Sequence, residues 1–210
     1  MTKKYEITDM IHPTKPQLRR IRALRDIPTV GVKAGDLGGW VEGEHNLYQE
    51  GEAWVSGEAR VCDKAWVSGM ALVSGSAWVS DSARVHGSAQ VSDSARVSDS
   101  AWVFGSAEVA GMALVSDSAR VSDSAIVQSS EDIMHSMVLA SEQYSATLHR
   151  TTYGHRLTVG CWHGTVPEFR TMIESDTWVE ATPDQIKLRR PELLAFTAMC
   201  EARIATWEQP

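Results

Sequence analysis

Between Ala53 and Ser130 an apolar position recurs at every sixth residue. Val holds it without a break from Val55 to Val127, thirteen times in all. Ala sits two residues before each Val, and Gly or Asp sits two residues after it, from Gly57 to Asp123, until Ser129 ends the pattern. Side chains alternate faces along a strand. In Ala77-Trp78-Val79-Ser80-Asp81-Ser82, Ala77 and Val79 therefore point one way while Trp78 and Ser80 point the other. Gly and Asp reach left-handed backbone angles at low cost, so the chain bends once per hexad. A helix is excluded, because Val at steps of six would smear around a turn of ~3.6 residues. Short strands joined by identical bends predict a solenoid.

The hexad Val-Ser-Gly/Asp-Ser-Ala-x resembles the hexapeptide repeat of left-handed β-helices, best known from acyltransferases and related trimers. The resemblance implies three hexads per coil and a three-sided prism of parallel strands. Thirteen hexads then make a little over four coils. Val41 and Leu47 are in step with each other, and the shift before Val55 predicts an irregular first coil. Strands stack at about 4.8 Å, so the prism should stand roughly 20–25 Å tall. Each inward Val contributes on the order of 1.5–3 kcal/mol when buried.

The flanks read differently. Residues 1–34 form a small β cap, with strands over Tyr5-Glu6-Ile7 and Leu18 to Leu24 separated by the turn-rich His12-Pro13-Thr14-Lys15-Pro16. Arg19, Arg20, Arg22 and Arg25 surround the second strand. They either help close one end of the solenoid or contact a phosphate. Gly35 to Trp40 lacks the Gly-Lys-Ser/Thr ending of a phosphate loop, and reads as the bend leading into the first coil of a β-helix spanning 35–130. Residues 131–143 are a connector whose secondary structure stays open. Residues 144–210 predict a small α+β domain. Its hairpin pairs Arg150 with His155, placing Tyr144, Ala146 and Leu148 on one face with Leu157, Val159 and Cys161. Thr165 with Glu168 and Thr182 with Gln185 are capping boxes opening two helices, the second broken or restarted at Pro191. Leu193, Phe196, Cys200, Ile204 and Trp207 form its apolar stripe.

Charge adds little. The net charge is −7, yet residues 1–33 carry eight Lys or Arg against three acidic residues. The acidic remainder argues against general nucleic-acid binding. Three scattered cysteines give neither a disulfide nor a zinc spacing, which points to a reducing compartment. No apolar run reaches membrane-spanning length and no signal-peptide core follows Met1, so a cytoplasmic protein without membrane contact is expected.

Taking every eighteenth outward residue gives one column per prism face. The first is Trp54, Leu72, Gln90, Glu108, Ile126. The second is Arg60, Trp78, Arg96, Leu114. The third is Trp66, Arg84, Trp102, Arg120, beside Ser68, His86, Phe104 and Ser122. A solvated face does not repeat Trp, and Arg between Trp faces is a favourable cation–π arrangement. Two readings stand side by side. Arg60, Trp66, Trp78, Arg84, His86, Arg96, Trp102, Phe104 and Arg120 are either a homotrimer interface or a cleft for a small anionic aromatic ligand, with rings stacking on its base and Arg and His holding phosphate.

Catalysis is the weaker expectation. By analogy with the acyltransferases, His86 would be the general base of an acyl-CoA-dependent transfer, but Val55 to Val127 contains no loop insertion to build such a site. A metal site from His149, His155, Cys161 and His163 is disfavoured, because His149 and Cys161 fall on opposite hairpin faces; Cys161 reads as a small core residue and His163 as part of a turn. No cofactor is expected.

The chain as a whole resembles a group of tailed-phage and prophage proteins. The matching segments are Tyr5-Glu6-Ile7, Gly35 to Trp40, the hexads, and Gly160-Cys161-Trp162-His163-Gly164-Thr165-Val166-Pro167-Glu168-Phe169. This likeness brings a phage origin with it, and no activity. It implies action in the host cytoplasm. The expectation is a non-catalytic homotrimer that sequesters a host signalling nucleotide against defence. A structural or protein-docking trimer, with the C-terminal unit contacting a host protein, is the alternative.

Overall fold

The computed structural model describes residues 3–138, 144–178 and 181–208. The chain divides into two compact units, Met1–Ser130 and Glu131–Pro210.

The first unit is the left-handed parallel β-helix that the resemblance to hexapeptide-repeat proteins implies. Thirteen two-residue rungs run from Trp54–Val55 to Ile126–Val127. Each rung pairs in parallel with the rung eighteen residues away, as Val79 does with Val61 and Val97. Three stacked sheets result, one per column. Every hexad Val and Ala is buried. Successive coils are tied through the backbone: Trp78 N–H donates to Ala95 O at 2.9 Å, and Ser80 N–H to Val97 O at 3.0 Å. The bend is a left-handed residue every time, with φ between 55° and 73° from Gly57 to Asp123.

The first coil completes a fifth turn. Val41 pairs with Val61 and Leu47 bridges to Val67, so both hold inward positions. Its irregularity lies at a 3-10 turn, Glu44–Asn46, and in the eight-residue step from Leu47 to Val55. Asn46 is fully buried and serves both sides of the bend. Its amide donates to Asp63 O and Ala65 O at 3.1 and 2.8 Å, while its oxygen accepts from Glu42 and Gly43 N–H at 3.1 and 2.9 Å.

The N-terminal strands are longer than the sequence pattern implies. β1 (Tyr5–His12) and β2 (Lys15–Ala23) form an antiparallel hairpin, and β2 pairs antiparallel with β3 (Leu37–Val41). The expected bend at Gly35 to Trp40 is thus largely a strand. β3 pairs in parallel with the rung Arg60–Val61, which joins the hairpin to the second sheet. Gly39 stands where other hexads have Ala. A Cβ there would lie 2.7 Å from Val55 Cγ1 and 2.6 Å from Ala59 O, so the glycines serve close packing. Lys4 and Tyr5 are also buried at this end. Lys4 Nζ donates to Ala53 O at 2.8 Å, and the Tyr5 hydroxyl to Leu47 O at 2.7 Å. Trp54, outward by pattern, is buried edge-on against Tyr5 at 6.5 Å. The arginine cluster is spent on the fold: Arg20 meets Glu58 at 2.7 Å, Arg22 meets Glu6 at 3.2 Å, and Arg25 donates to Gly51 O at 2.9 Å.

The second unit is a four-stranded antiparallel meander with two helices. β4 (Ile133–Val138) pairs with β5 (Tyr144–Thr151), β5 with β6 (Gly154–Val159), and β6 with β7 (Trp162–Gly164). Half of the stretch 131–143 that the sequence leaves open is therefore a strand; its residues 139–143 lie outside the described residues. Arg150 pairs with His155, in the register expected. Both capping boxes form, opening α1 (Val166–Glu174) and α2 (Pro183–Trp207). Three expectations are corrected. Helix α2 runs through Pro191 without a break, so packing of Leu193, Phe196 and Cys200 outweighs one lost backbone hydrogen bond. Cys161 is exposed and outside the core, because left-handed Gly160, φ 56°, ends β6 at Val159 and turns the chain. His163 lies in β7, not in that turn.

Candidate ligand-binding face

The nine outward residues singled out by the columns fall on two different sheets. Arg60, Trp78 and Arg96 stand on the second sheet; Arg60 and Trp78 are half-buried and Arg96 is exposed. Arg60 and Arg96 lie 5.1 and 5.7 Å from the Trp78 ring. Lys15 of the N-terminal hairpin lies 4.6 Å from the same ring. The Trp78 indole N–H donates to Cys62 Sγ at 3.3 Å, and Trp78 packs on the cluster of Leu18, Trp40 and Cys62. Burial pushes the Cys62 thiol up to about 12, so it is a packed thiol rather than a nucleophile. Trp40 carries Arg20 at 4.7 Å and His12 edge-on at 4.8 Å, and donates to Glu58 at 2.9 Å. The Trp40 and Trp78 end of this face is the bed of the cap.

The other six residues come together on the third sheet. Trp66, Arg84, Trp102 and Arg120 stack in register along the coils. Arg84 lies between two indoles, 5.7 Å from Trp66 and 4.6 Å from Trp102. Arg120 lies 5.0 Å from Trp102 and 5.5 Å from Phe104. In the adjoining column His86 is stacked on Phe104 at 5.3 Å and on Trp66 at 6.0 Å, and meets Trp102 edge-on at 6.3 Å. All but Arg120, which is exposed, are half-buried, so ring and guanidinium surfaces still face outward.

Electrostatics follow from this packing. Burial, then the charges of Arg84 and Arg120, hold His86 below its ordinary value of 6.5. The imidazole is therefore neutral at pH 7, offering one N–H and one lone pair. Its neighbours are rings and cations, which weaken it as a base.

Tyr48 extends the face by one coil. It follows Leu47, so it falls in the His86 column, and its ring is 5.7 Å from Trp66. Tyr48 and Trp66, with Glu44, His45, Gln49 and Lys64, line an open hollow of about 570 Å³. Tyr48, His45 and Lys64 were missed by the column reading. The step between Val41 and Leu47 was the available signal for Tyr48; His45 and Lys64 belong to bends, where no period marks them.

The four residues weighed as a metal site are dispersed. His149 is buried in β5, His155 Nε2 accepts the Val166 N–H at 3.0 Å, and Cys161 and His163 are exposed.

Residues 89–105 match the YdcK β-solenoid repeat family. The matched stretch is close to one coil of the helix and carries the architecture, not a chemistry. A search of curated proteins returns no match. No helix among the described residues is long and apolar enough to cross a membrane.

Proposed function

We propose that this protein is a non-catalytic binding protein. Its third solenoid face captures a small anionic aromatic ligand, a nucleotide by chemical class, in clefts between the copies of a homotrimer. The observation that carries this is Arg84 held between Trp66 and Trp102, beside the neutral, stacked His86. Indole and imidazole planes stack on a flat base, while the Arg84 guanidinium offers paired donors to phosphate. On the neighbouring second face the N-terminal hairpin packs against Trp40 and Trp78, whereas Trp66 and Trp102 of the third keep half-exposed rings. With the phage resemblance, the biological role we infer is sequestration of a host signalling nucleotide. A host protein contacted by the C-terminal unit belongs to the assembly reading, and nothing in that unit's geometry favours it.

Native mass spectrometry of the purified full chain tests this directly. A trimer carrying a nucleotide-sized adduct, lost in the doubly substituted Trp66→Ala, Arg84→Ala chain, is the expected result. A trimer that stays empty when mixed with a panel of mono-, di- and cyclic nucleotides would overturn capture in favour of a purely structural trimer. A folded monomer would overturn the inter-subunit cleft.

A further inference from the structure

The third face ends at Trp66 in the open hollow, and the groups around that hollow differ in what they have left to offer. From the next coil Trp66 carries Arg84 at 5.7 Å and His86 stacked at 6.0 Å. From the preceding coil comes Tyr48, at 5.7 Å and tilted by 46°, so these two rings splay instead of stacking. Tyr48 is 53% exposed. The hollow beside the splayed rings, about 570 Å³, is of the size of a small-ligand site. Most polar groups on its lining are spent. Glu44 is paired with Lys3 at 2.6 Å, and His45 Nε2 donates to Asp63 O at 2.6 Å. The Gln49 amide accepts from Lys4 N–H at 2.8 Å and donates to Tyr5 O at 3.2 Å. Lys64 is the exception. It is exposed, and among the described residues its ammonium has no hydrogen bond or ion pair. An ammonium only donates, so it selects a base edge made of acceptors. Guanine presents O6 and N7 side by side, whereas adenine sets an N6 amino donor beside N7.

We propose that the ligand of this face is a guanine nucleotide. Its base lodges against Tyr48 and Trp66, O6 and N7 accept from the Lys64 ammonium, and its phosphate reaches Arg84 one coil on. This rests on the nucleotide reading of the face and adds to it the identity and seat of the base.

Calorimetry on the full chain with GDP, IDP, ADP and 7-deaza-GDP tests it, because the four share their phosphates and differ only in the base. GDP and IDP keep both O6 and N7 and should bind alike. ADP should bind at least about tenfold more weakly, and 7-deaza-GDP, which lacks the N7 acceptor, should fall between them. Lys64→Met should erase the advantage of GDP and leave ADP within about twofold of its starting affinity. Tyr48→Leu removes the aromatic face and should weaken GDP and ADP together by about tenfold. ADP bound as tightly as GDP, or a preference for GDP that survives Lys64→Met, would overturn the guanine assignment and leave nucleotide capture standing. IDP bound about tenfold more weakly than GDP would also overturn it, since recognition would then lie on the 2-amino edge. GDP affinity untouched by Tyr48→Leu would overturn the seat of the base. A chain that binds none of the four overturns capture itself, and this inference with it. The comparison of the four nucleotides needs no substituted chain, so it decides even if a variant fails to fold.

Discussion

The guanidinium of Arg84 lies 4.6 Å from the ring centre of Trp102, one coil further along the third face. Trp66 lies behind it at 5.7 Å. Stacking of this kind at half-exposed sites contributes about 0.5–1 kcal/mol per pair. Arg84→Met keeps the stem and removes the charge. Urea denaturation should show a loss of roughly 1 kcal/mol, with the fold intact by circular dichroism.

His86 should titrate below 6.5. Arg84→Met takes away one of the two charges that depress it, so its midpoint, followed by NMR of the ring protons, should move up. The folded value lies below the unfolded one. Between the two, the unfolded chain holds more protons, and stability falls as pH drops below about 6.5. A midpoint unmoved by Arg84→Met would contradict the proximity of the two groups.

Lys4 gives the opposite end of the pH range. Burial, then the Arg25 charge, lowers it from 10.5 to about 8. Between those values the unfolded chain binds the extra proton, so stability should rise from pH 8 towards pH 10.5 as the buried ammonium is neutralised. Denaturation midpoints measured at steps of pH should show this rise in the unsubstituted chain. In Lys4→Met that part of the slope should vanish.

The bends carry either Gly or Asp in the same left-handed conformation. A Cβ on Gly75 would meet Asp93 N at 2.8 Å and Asp93 Cα at 3.0 Å. Asp99, at φ 57°, instead has room for a side chain whose Oδ2 accepts from Ser98 Oγ at 3.0 Å and from Asp117 N–H at 3.3 Å. Gly75→Ala should therefore cost more than the ~1–2 kcal/mol of a left-handed Ala alone. Asp99→Gly should stay within about 0.5 kcal/mol of the starting chain, and Asp99→Ala should cost about 1 kcal/mol. Thermal melting of the three chains ranks them.

Much of the solenoid was legible because each hexad repeats one local decision. Val and Ala alternate inward, and the residue two beyond Val must turn left-handed. The candidate face was legible for the same reason, since Trp66, Arg84 and Trp102 sit at one phase of the repeat. Cys161 shows where such reading stops. Its alternation with Val159 predicts burial, but Gly160 takes a left-handed angle and removes it from the sheet. Pro191 shows the same limit in α2, where burial of Leu193, Phe196 and Cys200 overrides a local helix breaker.

By itself the sequence determined the solenoid, its left-handed corners, both helix caps and the hairpin register, because each depends on residues within a few positions of one another; three hexads to a coil followed from the likeness to hexapeptide-repeat β-helices. The tertiary structure alone decided which aromatic column is spent and which is open. Trp78 and Trp66 have the same hexad context, yet Lys15 and Leu18, far away in the chain, settle on Trp78, while the Trp66 side meets Tyr48 and a hollow. Which surface a distant segment covers depends on shape and on the groups already paired there. A period of six carries no information about either.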